Sequence, residues 1–292
     1  MTGPERPVAL ITGASRGVGR GVAVALGKHG YRVYVAGRES SRRLDEAALP
    51  GTLQETASEI ENAGGECVVV HCDLAQDNDI AEMFGRIAKA ESGLDLLVNN
   101  AAFLHEDMGK PLRFWEKSEK VADIIDVGLR CHYLATRHAI PLMIGRPSPL
   151  IVNISFFGAA KMHDPAYYAA KAGLDAMAAT AAPELDPMGI TMVSVWPGIV
   201  ATERLDLVLG QHPEIADQLP PLEPPELVGE AIVALQGDEA LAQFNGNTLI
   251  VAELVRHYGL TDKSAPLPIS LRGTFGVPHP SQDNALLANR EA

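Results

Sequence analysis

Four apolar residues, Val8 to Ile11, run unbroken into Thr12 and Gly13, and glycines recur at 17 and 19 as a helical pattern begins through Val18, Val22 and Leu26. A short apolar run closed by glycine reads as a buried strand. The glycines that follow have no side chains, so backbone amides can approach a pyrophosphate at the helix N-terminus, where the helix dipole favours an anion. A plain tight turn would use the same glycines. Placement between a strand and a helix favours the phosphate cradle.

The rest of the chain repeats this alternation. YRVYVAG (31–37), ECVVVHC (66–72), DLLVNN (95–100), LIVNI (150–154), TMVSVW (191–196) and NTLIVA (247–252) read as six further strands. Helical patterns lie between them at TLQETASEIENAGG (52–65), about 77–90, about 116–144, around Tyr167 to about Leu185, and 225–236. Pro183 is expected to kink or loosen the end of its helix. RESSRRLDEAALPG (38–51) is a polar loop longer than the usual connection. Strands alternating with helices predict an α/β fold, a doubly wound parallel sheet of Rossmann type, with ligands beyond the carboxyl ends of the strands. The 292 residues would allow two domains, but one such sheet absorbs most of them. We therefore expect a single domain over 1–259, with a substrate lid at about 203–225 and a C-terminal extension over 260–292.

Tyr167 and Lys171 are four apart on a helical pattern and so share a face. An ammonium beside a phenol favours the phenolate and can draw its pKa from about 10 toward working pH. Ser155, at the end of the fifth strand, could hold a carbonyl oxygen nearby. Y-x-x-x-K also arises by chance on helix surfaces, so the motif gains meaning from its company. Tyr168 is adjacent, but only Tyr167 has the four-residue spacing to Lys171.

Five motifs stand in order: T-G-x-x-x-G-x-G at Thr12 to Gly19, a variant of N-N-A-G at Asn99 to Ala102, Ser155, Tyr167 with Lys171, and WPGIVAT at Trp196 to Thr202. Together they resemble the short-chain dehydrogenase/reductase family from Pro7 to about Val251. VGLRCHY (127–133), WPGIV (196–200) and VRHYGL (255–260) resemble a carbonyl-reductase branch more narrowly. The resemblance implies hydride transfer between a nicotinamide and a carbonyl or secondary alcohol. Tyr167 would pass the proton, Ser155 would orient the oxygen, and Lys171 would hold the nicotinamide ribose. Cofactor contacts are implied for Gly13, Ser15, Arg16, Gly17, Val18 and Gly19 in the first loop, and for Asp73 and Leu74 at the adenine. The implied set continues with Asn99 and Ala101 at the turn after the fourth strand, and with Pro197, Gly198, Val200 and Thr202 at the nicotinamide.

In the family a carboxylate at the end of the second strand marks NAD, and here that place is Gly37 followed by Arg38. Guanidinium groups match phosphate bidentately, so Arg16 and Arg38 point to the 2'-phosphate of NADP(H) over NAD. Arg42 and Arg43 show that solvated arginines are common nearby, and Glu39 is a contrary sign. The family also places an asparagine where this chain has Gly128. His132, one turn later, could partly substitute or could simply be a packed histidine.

A formal charge of −13 argues against nucleic acid or an anionic membrane as partner. No apolar stretch is long enough to span a bilayer and no basic apolar leader precedes Val8, which predicts a cytoplasmic protein. Cys67, Cys72 and Cys131 form no C-x-x-C pair, and the nine histidines show no metal spacing, so no metal is expected. The partners expected are a small-molecule carbonyl or alcohol and a second copy of the chain, as homodimer or homotetramer. Leu205, Leu207, Val208 and Leu209 in the lid, with Phe103, Phe114, Trp115, Phe156 and Phe157, would line a pocket for a lipophilic substrate. The same residues would serve equally to pack the lid and subunit contacts.

Overall fold

The structure is a computed structural model, and it describes residues 6–38, 49–157, 164–260, 267–279, 281–284 and 287. Among these, strands β1 (Val8–Thr12), β2 (Arg32–Gly37), β3 (Glu66–His71), β4 (Leu96–Asn99), β5 (Leu150–Ile154), β6 (Thr191–Trp196) and β7 (Thr248–Ile250) form one sheet in the order 3-2-1-4-5-6-7. Every neighbouring pair is parallel. The order reverses between β1 and β4, which opens a crevice at their carboxyl ends.

The helices are α1 (Gly17–Lys28), α2 (Leu53–Asn62), α3 (Asp77–Ala90), α4 (Asp123–Ile125), α5 (Cys131–Met143), α6 (Pro165–Leu185), α7 (Glu203–Gln211), α8 (Pro225–Gln236), α9 (Val251–Tyr258) and the four-residue α10 (Arg272–Phe275). Alternate strand residues feed two cores. Ala9, Ile11, Val33, Val35 and Val98 pack with α1, α2, α8 and α9. Leu10, Tyr34, Leu97, Ile151 and Met192 pack with α3, α5 and α6 on the other face. Burial on both sides is why the strands read as unbroken apolar runs. The α1–α8 crossing depends on small residues, since a Cβ on Gly21 would lie 2.3 Å from the Pro225 carbonyl carbon.

The region expected as one helix over 116–144 is broken up. It begins in short 3₁₀ turns and passes through α4 and a π-turn over Asp126–Arg130 before α5 starts at Cys131. Gly128 sits inside the π-turn, where the wider winding accommodates an extra residue. Pro183 does not end α6, which continues to Leu185. It removes a helical donor only within the last turn, where the loss is small. NTLIVA is a strand only to Ile250, because the chain turns directly into α9 and Val251, Leu254 and Val255 enter the core.

Part of the C-terminal extension is built into the same body. Thr248 N–H donates to Gln282 O at 2.9 Å and Leu287 enters the core. The long loop after Arg38, with Glu39, Arg42 and Arg43, lies outside the described residues, as do 158–163 between Phe157 and Asp164.

Candidate active site

β5 ends at Ile154, and the next residue, Ser155, faces α6. Ser155 Oγ donates to the carbonyl of Lys171 at 3.0 Å, and Lys171 Nζ donates back to the carbonyl of Ile154 at 2.8 Å. These reciprocal bonds lock strand end to helix. Lys171 Nζ stands 5.7 Å from the centroid of the Tyr167 ring, so the four-residue spacing brings phenol and ammonium together. The N-terminus of α6 is held by Asp164, which caps Ala166 N–H at 2.9 Å and pairs with Lys117 at 3.0 Å; both charged side chains are buried. Pro165 at the first helical position fits that start.

Burial pushes the Lys171 ammonium down to about 8, although the nearby carboxylate of Asp175 and the thiol of Cys131 oppose the shift. Asp175, one turn beyond Lys171, accepts from the Trp196 indole at 3.1 Å, and burial raises its own pKa to about 6 against the pull of Ser155, Ser194, Trp196 and Lys171. Tyr167 goes opposite to the sequence expectation. Desolvation around the ring pushes its phenol up to about 12. A neutral phenol beside a buried ammonium is set to give a proton to an oxygen that is gaining negative charge. Tyr168 points out and is 46% exposed, so it lacks that environment.

Thr12 and Asn100 shape the glycine loop. Thr12 Oγ accepts from the N–H groups of Asn100 and Ala101 at 2.9 and 3.1 Å, and Asn100 Nδ2 donates to Thr12 O at 2.9 Å and Gly13 O at 3.2 Å. Asn99, an implied cofactor contact, instead donates to Thr136 and Asn153, each at 3.0 Å. Strand alternation puts the two asparagines on opposite faces. Gly13 has φ of +67°, and a Cβ there would lie 2.7 Å from the Ala101 Cα. Gly51, which no sequence pattern marked, packs so closely that its Cβ would lie 2.4 Å from Ser15 O.

The N-terminus of α1 has no side-chain cap of its own at Arg16. Instead the Gly17 N–H donates to the carboxylate of Glu203, the first residue of α7, at 2.9 Å. The cradle therefore already holds an anionic group, which is the charge a pyrophosphate would bring. Farther along the carboxyl edge, exposed Arg38 opens onto a cleft of about 210 Å³, lined also by His71, Asp73, Asp79, Glu82 and Arg86. Asp73 is partly engaged, its carboxylate accepting from Ala75 N–H at 3.1 Å, and Leu74 is buried beside it. Loop, anion cradle and cleft fit a dinucleotide laid along this edge. Such a cofactor would supply the hydride, and the glycine loop, Arg38 and Asp73 would hold its adenosine half.

After β6, Pro197, Gly198 and Val200 lead toward α7. Glu223, 3% exposed, accepts from Gly198 N–H at 2.9 Å and bridges to Val200. Burial raises its carboxyl to about 7 against that hydrogen bond. Thr202 caps α7 through Leu205 N–H at 3.3 Å, and its methyl is 3.3 Å from where a Gly17 Cβ would stand. The start of α7 thus touches the glycine loop through both Thr202 and Glu203. Contacts such as Gly17 to Glu203 join residues 186 positions apart and leave no local sequence signal.

At Gly128 a Cβ would meet Ala170 Cβ at 3.5 Å, an ordinary contact. His132 is fully buried, and burial with the charge of Lys171 presses its imidazole down to about 3, so it is neutral. Among the described residues no helix is long and apolar enough to cross a membrane, and no group of His, Cys, Asp and Glu has a metal-binding arrangement.

Comparison with known proteins agrees with this geometry. The short chain dehydrogenase family profile matches residues 7–209. Dehydrogenase/reductase SDR family member 1 of Mus musculus is 37% identical over 271 residues, covering 87% of this chain and 82% of that protein. A 3-oxoacyl-(acyl-carrier-protein) reductase of Synechocystis is 34% identical over 257 residues, covering 86% of this chain and 97% of that protein. The crystal structure of a short chain dehydrogenase from Mycobacterium thermoresistibile superposes with a TM-score of 0.74 at 27% identity, over 88% of this chain and 89% of that one. With sheet order, glycine loop and the Ser155, Tyr167 and Lys171 assembly in hand, the chain belongs to the short-chain dehydrogenase/reductase family of nicotinamide-dependent oxidoreductases.

Proposed function

We propose that the protein is an NADP(H)-dependent reductase of small lipophilic carbonyl compounds, or the corresponding alcohol dehydrogenase, with Tyr167 as proton donor and acceptor. The observation that carries this reading is the reciprocal bonding of Ser155 and Lys171 beside Tyr167 at the carboxyl edge. Lys171 would hold the nicotinamide ribose, and Thr202 the carboxamide. NADP(H) is favoured over NAD(H) because Gly37 offers no carboxylate to a ribose while Arg38 is exposed on the adjoining cleft and Arg16 starts α1. A lipophilic substrate is favoured because Leu205, Leu207, Val208 and Leu209 are only half-buried on the lid and none belongs to the core.

Exposed Ile125, Tyr133 and Tyr168 on α4, α5 and α6 support a homodimer or homotetramer packed through these helices. Reduction of an acyl-carrier thioester intermediate is the second reading, favoured by likeness to the Synechocystis reductase. Titrating NADPH and NADH by fluorescence, followed by a carbonyl screen at the absorbance of reduced nicotinamide, tests the proposal. Tighter NADPH binding, narrowed or reversed by Arg38→Asp, supports the cofactor assignment, and a clear NADH preference refutes it.

A further inference from the structure

A buried ion cluster ties the end of the chain to α9 and to the edge of β7. Glu253 on α9 is 4% exposed, and a carboxylate that deep requires full compensation. Arg272, the first residue of α10, supplies it with two parallel bonds of 2.8 Å, from Nε and Nη2. Ser270 Oγ adds a third bond to Glu253 at 2.9 Å. The outer edge of the same guanidinium reaches Asp283 at 2.6 and 3.0 Å, and that stretch in turn pairs with β7 at Thr248. One side chain thus joins α9, α10 and the strand edge.

A four-residue helix cannot hold itself in place. Clamped at its first residue, α10 presents its last one, Phe275, to the aromatic pair that follows Ser155. The Phe275 ring lies 5.7 Å from Phe157 and 6.2 Å from Phe156 between centroids. Leu271, 5% exposed, anchors the segment in the same cluster with Trp196, and Ile199 of the loop after β6 packs against it. Phe157 is core at 1% exposure, whereas Phe156 and Phe275 keep part of their rings open. Phe275, Ile199 of the loop after β6, and Phe156, next in sequence to Ser155, all pack against this one cluster, a placement suited to one wall of an apolar pocket.

We propose that Phe275, held by the Arg272 clamp, is a specificity-determining residue that with Phe156 selects carbonyl substrates bearing a bulky apolar or aromatic group. This rests on the carbonyl-reductase reading above. The test compares the full-length protein with Phe275→Ala and Phe275→Leu, using NADPH with 2-butanone and with 2-acetylnaphthalene. The ratio of kcat/KM for the naphthyl ketone to that for butanone should fall at least tenfold in Phe275→Ala, chiefly through KM, and less in Phe275→Leu. An unchanged ratio in either folded variant overturns the proposal, as does an equal loss on both ketones. If Phe275→Ala does not fold, Phe275→Leu decides alone, with a threefold fall in the ratio as the threshold. If the wild type binds NADPH but turns over neither ketone, the carbonyl-reductase reading fails on its own. Calorimetric binding of 2-acetylnaphthalene to the NADPH complex then decides the wall: at least fivefold weakening by Phe275→Leu supports it, and equal affinity, or no binding to the wild type, overturns it.

Discussion

Glu223 offers a quantitative handle on the loop after β6. Its carboxyl is almost wholly buried and rises from an ordinary value of 4.5 to about 7, burial being the larger cause and the hydrogen bond from Gly198 the opposing one. A carboxyl whose folded pKa exceeds its unfolded pKa stabilises the fold fully below 4.5, and that contribution is lost as pH rises through about 7. Between pH 5.5 and 8 the loss integrates to about 2 kcal/mol. Glu223→Gln keeps an acceptor for Gly198 N–H and removes the ionisation. Urea unfolding of both proteins at the two pH values should show the variant gaining about 2 kcal/mol on the wild type from pH 5.5 to 8. Because Asp175 also titrates in the lower part of this range in both proteins, the comparison is between variants and not between pH values. A stability difference that does not change with pH would refute the assignment of a buried, late-titrating carboxyl at this position.

Three further outcomes follow from the same geometry. Tyr167→Phe should nearly abolish turnover while leaving NADPH affinity within a few-fold, and Tyr168→Phe, at an exposed ring, should be mild; steady-state kinetics and fluorescence titration check both, and the reverse ranking would show that the other phenol works. Gly128→Asn has room for its Cβ, so it should fold with little change in Tm and alter activity less than about tenfold; a gain of several orders of magnitude would mark the natural chain as an impaired or non-catalytic, cofactor-sensing relative. Arg272→Met leaves Glu253 buried without its partner and should cost about 3–5 kcal/mol in urea unfolding; a cost under about 1 kcal/mol would mean that the arm is not clamped as described.

What was legible in the sequence is what local pattern encodes. The strand, glycine loop and α1 are one continuous signal, and Ser155, Tyr167 and Lys171 meet because a strand end and one helical turn place them so. The helices at 77–90 and 225–236 carry clear apolar periods, and they form as expected at α3 and α8. Burial-dependent properties were not legible. The spacing of Tyr167 and Lys171 predicted a lowered phenol pKa, but it contains no account of the desolvation that raises it. Long-range pairings were equally hidden, since neither the carboxylate of Glu203 on Gly17 nor the clamp of Arg272 on Glu253 has any periodicity to betray it. Asp175 is the exception. It continues the four-residue spacing from Lys171, and that spacing was there to be read.

Transfer of isotope from cofactor to product tests the central claim most directly. NADPH carrying deuterium at the hydride position of its nicotinamide ring is incubated with the protein and 2-acetylnaphthalene, or with whichever carbonyl the screen finds most active, and the alcohol is analysed by mass spectrometry. One deuterium is expected on the carbinol carbon with the wild type, and essentially no labelled alcohol with Tyr167→Phe over the same time. A labelled alcohol produced equally well by Tyr167→Phe, or bound NADPH that transfers no deuterium to any carbonyl in the panel, would contradict that claim.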